Sequence, residues 1–287
     1  MDFTFQAIVD YLLALSGAIP HETPGVYLLY EEDDCLIEKL CAGSDTLENV
    51  FITEDIRVDT PALYLLDDDK RFIFFVDTEN VLRRSRYDAD EEEWQAELEG
   101  EGDIIIPQGS KLSGYFTPEG QVVFFQNQSG LLQGIEIRDS NWELLSPVPA
   151  AEPLEGTRHL VLRTSDGDLY LFYIGRDRYI HYSVLSLETG EWHDNVLKSP
   201  VLDQAVVNFI VIAGEDMKFE TYLLTADRLM EIDKQGELLD LGKVVAGVFT
   251  PNSGKECVIE SLRLIKKGVK AISGKVLEAK KKRDQKN

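Results

Sequence analysis

Four histidines are spread through the 287 residues, at positions 21, 159, 181 and 193, and one stands where acid–base chemistry could be done. When the chain is aligned on its internal similarity, His159 shares a column with Ala62, Leu112, Asn208 and Val245. Tyr64, Tyr115, Arg158 and Arg163 fall on or beside the strands of that column. An imidazole that titrates near neutrality, with amide, phenol and guanidinium neighbours, could bind and polarise an oxygenated ring. His159 is therefore the candidate acid or base, and Asn208, Tyr64, Tyr115 and Arg163 are the candidate substrate-orienting groups. The alternative for His159 is a hydrogen-bonded histidine between sheets. His181 and His193 read as surface or packing residues.

Motifs for other chemistry are missing from the sequence: it holds no P-loop, dinucleotide glycine fingerprint, G-x-S-x-G elbow, H-E-x-x-H or EF-hand loop. The acidic runs "EEDD" (31–34), "DDD" (67–69) and "DADEEE" (88–93) suit solvated turns better than a cation cage. No metal and no cofactor is expected. A net charge of −23 would repel nucleic-acid phosphates. No run of 18 apolar residues exists to span a membrane, and the acidic N-terminus lacks the basic region of a secretory signal. Cys35, Cys41 and Cys257 have no metal-ligand spacing and read as reduced thiols, which places the chain in the cytoplasm.

What would position the candidate residues is a repeat. The three tryptophans, Trp94, Trp142 and Trp192, lie 48 and 50 residues apart, and Leu238 follows 46 residues later. Registers beginning "TPALYLL", "SKLSGYF", "TRHLVLR" and "VVNFIVI" share one grammar of short apolar strands broken by polar turns. The second strands are "RFIFFV", "QVVFFQ", "DLYLFYI" and "FETYLL", and the third "VLRRSRY", "LLQGIEI", "YIHYSVL" and "RLMEI". A four-stranded unit recurring at this period predicts an all-β fold, a five-bladed β-propeller, with six blades as the alternative. The fifth unit is expected to be split: "KVVAGVFTPNSG" would supply its first strand, and "TPGVYLLYEEDDCLIEKL" with "NVFI" the rest, closing the ring through both chain ends. A large aromatic at one point of each blade is expected to fill the wedge between neighbouring sheets.

The propeller is expected over residues 21–254, with an N-terminal helix over 1–20 carried by Phe5, Ile8, Val9, Leu12 and Leu13. Residues 255–287 predict a basic amphipathic helix and tail: Val258, Leu262, Ile265, Val269, Ile272 and Val276 follow helical steps, and the segment carries 11 basic and 4 acidic residues. Packing on the same chain, self-association through the helices and a membrane-surface role are the alternatives for it, a membrane being the least expected.

"QVVFFQNQSGLLQ" and "DLYLFYIGRDRYIHYSVLSLETGEW" resemble the fungal fucose-specific lectin family of β-propellers, over about 230 residues. The resemblance implies sugar pockets between blades, each with a second-strand Arg, a third-strand Glu in an I-x-E motif and an aromatic from a neighbouring blade. The Glu column is matched at Glu38 ("LIEKL") and Glu231 ("LMEI"), and elsewhere holds Arg84, Gly134 and Tyr182. The Arg column holds Val26, Phe72, Val122, Tyr170 and Phe219, with Arg71 one step off on the other strand face. No unit keeps the pair, so Glu38 and Glu231 read as vestigial sugar-site positions. Some lectin-like propellers of fungal biosynthetic clusters resemble cofactor-free cyclisation or isomerisation catalysts. The resemblance therefore implies a small-molecule-binding propeller that cyclises, isomerises or dehydrates a polyketide- or terpenoid-like substrate in fungal secondary metabolism. The alternatives are a lectin of altered specificity, with a glycan as partner, or a protein-interaction propeller.

Overall fold

The strand runs pair as their alternation requires. The computed structural model describes residues 4–20, 25–43, 45–67, 70–97, 103–139, 141–149, 151–163, 168–186, 189–214 and 218–252. Blade 1 is β1 (Ser16–Ala18), β2 (Val26–Glu32), β3 (Cys35–Ala42) and β4 (Asp45–Thr53). Blade 2 is β5 (Ala62–Asp67), β6 (Lys70–Val76), β7 (Leu82–Asp88) and β8 (Glu93–Ala96). Blade 3 is β9 (Ser113–Phe116), β10 (Gln121–Gln126), β11 (Leu132–Arg138) and β12 (Asn141–Pro147). Blade 4 is β13 (His159–Arg163), β14 (Leu169–Ile174), β15 (Ile180–Leu185) and β16 (Trp192–Val196). Blade 5 is β17 (Val206–Ala213), β18 (Phe219–Thr225), β19 (Arg228–Ile232), β20 (Leu238–Val245) and β21 (Val248–Pro251). Each is an antiparallel meander, and the inner strands β1, β5, β9, β13 and β17 touch in succession. The protein is a five-bladed β-propeller.

The core lies between the blades. Second strands such as β10 and β18 are buried on both faces, which is why they read as unbroken apolar runs. One apolar cluster fills each interface, for example Leu63, Phe74 and Val123 between blades 2 and 3, and Phe124, Leu171 and Tyr173 between blades 3 and 4. The tryptophans reach back onto the preceding blade: Trp142 packs on Phe74 at 6.4 Å between ring centres, and Trp192 on Phe124 at 6.2 Å. A buried ring of this size removes about 150–250 Å² from water, so the even tryptophan spacing is the blade period.

Two polar devices repeat at the same period. A buried hydroxyl opens three of the registers and pins the inner strand to the end of the second: Thr60 Oγ1 donates to Val76 O (2.8 Å), Ser110 Oγ accepts from Gln126 N (2.8 Å) and Thr157 Oγ1 from Ile174 N (3.3 Å). After the second strand, an Asx turn recurs 50 residues apart at Asp77, Asn127 and Asp177. Their side-chain oxygens accept from Glu79 N (2.9 Å), Ser129 N (2.9 Å) and Tyr179 N (3.2 Å). The "EEDD" run is likewise a hairpin turn, with Asp33 and Asp34 both in the left-handed region (φ 50° and 62°).

Ring closure differs from the sequence expectation. The segment around Val245 is not the first strand of a split blade. It is the tip of a hairpin in which β20 and β21 pair, Val245 opposite Val248, through Ala246 and Gly247 at φ 50° and 78°. A two-residue Ala-Gly connection with both residues at positive φ favours such a hairpin, and its two arms look like a strand and a turn to a periodicity argument. Blade 1 is instead complete from its own chain segment, because Ser16–Ala18 pairs with Tyr27–Leu29 of β2. Blade 1 thus begins ahead of the expected boundary at residue 21.

The seam between blades 5 and 1 is filled by helix α1 (Phe5–Leu13). Thr4 caps it by accepting from Ala7 N at 3.2 Å, satisfying an end donor. Ile8, Val9 and Leu12 form its buried stripe, packed between Val26 and Leu28 of blade 1 and Ile212, Tyr222, Leu224 and Val244 of blade 5. The Gln6 amide grips the β20–β21 hairpin from both sides, donating to Gly247 O (2.8 Å) and accepting from Phe249 N (2.7 Å). No helix among the described residues is long and apolar enough to cross a membrane. The amphipathic segment expected from Lys255 onward, with Cys257, lies outside the described residues.

Candidate functional site

The inner strands leave a cavity of about 300 Å³ on the propeller axis. Its wall is drawn from α1 (Ala7, Ile8, Tyr11), the segment leaving it (Leu15–Gly17), and inner-strand residues such as Leu63, Leu112, Leu160 and Ile210. Tyr64, His159 and Asn208 line it too, so the structure brings together three of the five residues nominated by the sequence.

Their polar tips are engaged in the fold. Asn208 Nδ2 donates to Leu12 O (2.9 Å) and its Oδ1 accepts from Phe209 N (2.9 Å). Tyr64 O–H donates to Glu38 Oε1 (2.5 Å), while its backbone N–H donates to Ser16 Oγ (2.9 Å). Tyr11 O–H donates to Gly17 O (3.0 Å), and burial pushes its phenol up to about 12. Arg158 Nη1 donates to Leu15 O (3.0 Å). Blades 2, 4 and 5 therefore all hold the strap that runs from α1 into β1 across the cavity.

His159 is buried with both ring nitrogens occupied. Nδ1 lies 2.6 Å from Ser113 Oγ and Nε2 2.9 Å from Lys111 O. A backbone carbonyl only accepts, so Nε2 carries the hydrogen and Nδ1 accepts from the serine. Burial, with the nearby Arg158 charge adding to it against the Lys111 carbonyl, pushes the imidazole down to about 4. At neutral pH the ring is uncharged and staples blade 4 to blade 3. An unfolded histidine titrates near 6.5, so the unfolded chain binds the extra proton between about pH 6.5 and 4. Stability should fall as pH drops through that window, by up to about 3 kcal/mol from this residue. In a series of urea melts from pH 7 to 4, His159→Gln should show a flatter slope than the parent; parallel curves would contradict the assignment.

Tyr115 and Arg163 are not brought to the cavity. His159, Val161 and Arg163 share one face of β13 by strand alternation, toward blade 3. There Tyr115 stacks on Phe124 at 6.4 Å, its phenol raised by burial and partly offset by the Arg163 charge.

The inter-blade clefts hold the second set of candidates. Glu38 of β3 is 1% exposed. It receives Tyr64 Oη, Trp94 Nε1 (3.3 Å) and, as an ion pair, Arg71 Nη2, all from blade 2. Arg71 Nε also donates to Tyr64 Oη at 2.8 Å, and the guanidinium lies over the Tyr27, Tyr87 and Trp94 rings at 4.4, 3.6 and 5.2 Å. Burial works against the Arg71 charge, but Tyr64 and Glu38 outweigh it and raise its pKa. The expectation that no Arg/Glu pair survives holds within a unit and fails between units. Arg71 does face away from the Phe72 side of β6, and that other face is the one Glu38 of the preceding blade meets.

This acid–base–aromatic cluster is sealed by its own side chains. The next cleft reverses the charge: Arg84 stands in the Glu column, beside Gln121 Oε1 (3.1 Å), Glu97 Oε2 (2.5 Å) and the Trp142 ring (5.7 Å). At Gly134 the cleft is filled by Phe124 and Leu145, and at Tyr182 by Tyr170, Phe172 and Phe219. Glu231 is partly buried on β19 and has a partner of its own.

Sequence reasoning named Arg158 as a guanidinium neighbour of the His159 column and left it out of the orienting set, yet it is the one charged side chain among the described residues lining the cavity. The signal lay in the register starts: Lys111 and Arg158 each follow the pinning hydroxyl, as Pro61 does in blade 2.

No protein-family model and no curated protein sequence matches the chain. Solved structures do. AofleA from Arthrobotrys oligospora is similar over 88% of this chain and 74% of its own, at 14% identity and a TM-score of 0.60. An Aleuria aurantia lectin variant in complex with α-methyl-L-fucoside is similar over 78% of this chain and 75% of its own, at 12% identity and a TM-score of 0.58. SapL1 lectin in complex with α-methyl fucoside covers 85% of this chain and 84% of its own, at 15% identity and a TM-score of 0.53. The Aleuria aurantia lectin is described as six-bladed, against five blades and a helix here. The chain shares the propeller fold of the fungal fucose-specific lectins, as a divergent, lectin-like form of it.

Proposed function

We propose that this protein is a small-molecule-binding propeller whose ligand occupies the axial cavity. The carrying observation is the cavity itself: about 300 Å³ of largely apolar wall, framed by rigid inner strands and strapped by α1, with few polar groups. Cofactor-free cyclisation, isomerisation or dehydration of a polyketide- or terpenoid-like molecule is the catalytic extension of this reading. It would draw on orientation of the substrate in a dry box, because the neutral, doubly bonded His159 offers no free proton donor or acceptor. The cytoplasmic setting, with Cys35 and Cys41 as free thiols, belongs to the same proposal.

Ala7 faces the cavity from α1, and phenylalanine there would fill it without breaking a hydrogen bond. Ala7→Phe should lower affinity for apolar aromatic probes at least about tenfold, a loss worth about 1.4 kcal/mol, while melting within a few degrees of the parent. Unchanged binding would move the ligand elsewhere.

A glycan-binding reading is favoured by one observation, the fold shared with lectins solved with fucosides. A glycan array with free-fucose competition decides it: fucose-sensitive binding supports the lectin reading, and silence on the array together with cavity binding supports the first.

A further inference from the structure

Arg158 lines the cavity, immediately ahead of β13. Its Nη1 donates to Leu15 O, its Nε is buried without a hydrogen-bond partner, and no described carboxylate pairs with it. The free edge, Nε and Nη2, is the side-on fork that matches the two oxygens of a carboxylate.

Two further cations stand close by. Lys111 follows Ser110 in blade 3 as Arg158 follows Thr157 in blade 4. Arg57, in the segment leading to β5, is held only by neutral acceptors, Asn80 Oδ1 (2.8 Å) and Ile106 O (3.0 Å). Lys111 lies within electrostatic reach of both arginines: its ammonium is destabilised by burial first and by Arg158 and Arg57 in addition, with Asp59 opposing. Burial also pushes Arg158 down to about 10. A buried charge without a counter-ion costs several kcal/mol unless something neutralises it. Among the described residues, Asp59 is the one carboxylate whose charge opposes these effects, and it does so at Lys111.

We propose that Arg158, supported by Lys111 and Arg57, forms an anion subsite in the cavity wall, so that the ligand is an apolar molecule ending in a carboxylate. This rests on the cavity being the ligand site. The carboxylate would take the Nε/Nη2 edge of Arg158 while the apolar body lies among Leu63, Leu160 and Ile210.

Calorimetric titration of the full chain with 2-naphthoate and its neutral analogue 2-naphthylmethanol tests it. The parent should bind the acid about tenfold or more tightly than the alcohol, the range for a charge-assisted hydrogen bond. Arg158→Met should erase that preference by weakening the acid alone, and Lys111→Met should narrow it several-fold. Should Arg158→Met not fold, Lys111→Met decides, since the Lys111 side chain makes no hydrogen bond or ion pair among the described residues and methionine keeps its apolar stem. Equal binding of the two probes by the parent, or a preference that survives both variants, overturns the subsite while leaving the cavity reading intact. Binding of neither probe overturns both.

Discussion

Glu38→Leu should destabilise the protein by about 3–5 kcal/mol, because removing one partner leaves the buried Arg71 charge uncompensated. The carboxylate is 1% exposed and accepts from Arg71, Tyr64 and Trp94 at once, so three blade 2 donors lose their acceptor together. For a chain of this size that corresponds to a fall in melting temperature of about 6–20 °C. The double variant Glu38→Leu/Arg71→Met should recover much of the loss, since two apolar side chains can replace a buried pair at little cost. Thermal melts of the four members of the cycle measure it. A single-variant loss below about 1 kcal/mol, the level of a surface pair, would mean that the cleft is wet.

The second large effect belongs to α1. Leu12→Ala removes a fully buried side chain from the seam between blades 5 and 1, at a cost of about 2–5 kcal/mol. Ile8→Ala, one turn earlier on the same stripe, should cost a similar amount. Leu13, at the end of the helix, is 44% exposed, and Leu13→Ala should stay within about 0.5 kcal/mol. Urea unfolding followed by tryptophan fluorescence separates these outcomes. Equal, small losses at all three positions would show that the ring closes without the helix.

The propeller was legible because its signals are local and repeated. Strand alternation, polar turns and the tryptophan spacing each recur within a unit, and so did two signals passed over, the pinning hydroxyls Thr60, Ser110 and Thr157 and the Asx residues Asp77, Asn127 and Asp177. Closure was not legible. Periodicity says that Ile8, Val9 and Leu12 form an apolar stripe, but not that the stripe lies in a seam between the first and last sheets. The Val245 region carries the same composition whether it opens a blade or turns a hairpin. The site was half legible. Period-two reasoning put Arg71 on the correct face and still missed its pairing, because alignment of one unit on the next hides contacts between units. His159 was placed on the cavity wall, whereas its role depended on Ser113 Oγ and Lys111 O, 46 and 48 residues away in sequence.

The helix that fills the seam is made long before the blade 5 half of its docking surface. Gln6 bonds to Gly247 and Phe249, 241 and 243 residues later. At about 5–20 residues per second, Ile8, Val9 and Leu12 wait about 12–50 s for the blade 5 half of their apolar cover while successive sheets form. Until blade 5 is made the nascent chain thus carries a half-covered apolar segment, a natural target for ribosome-associated chaperones.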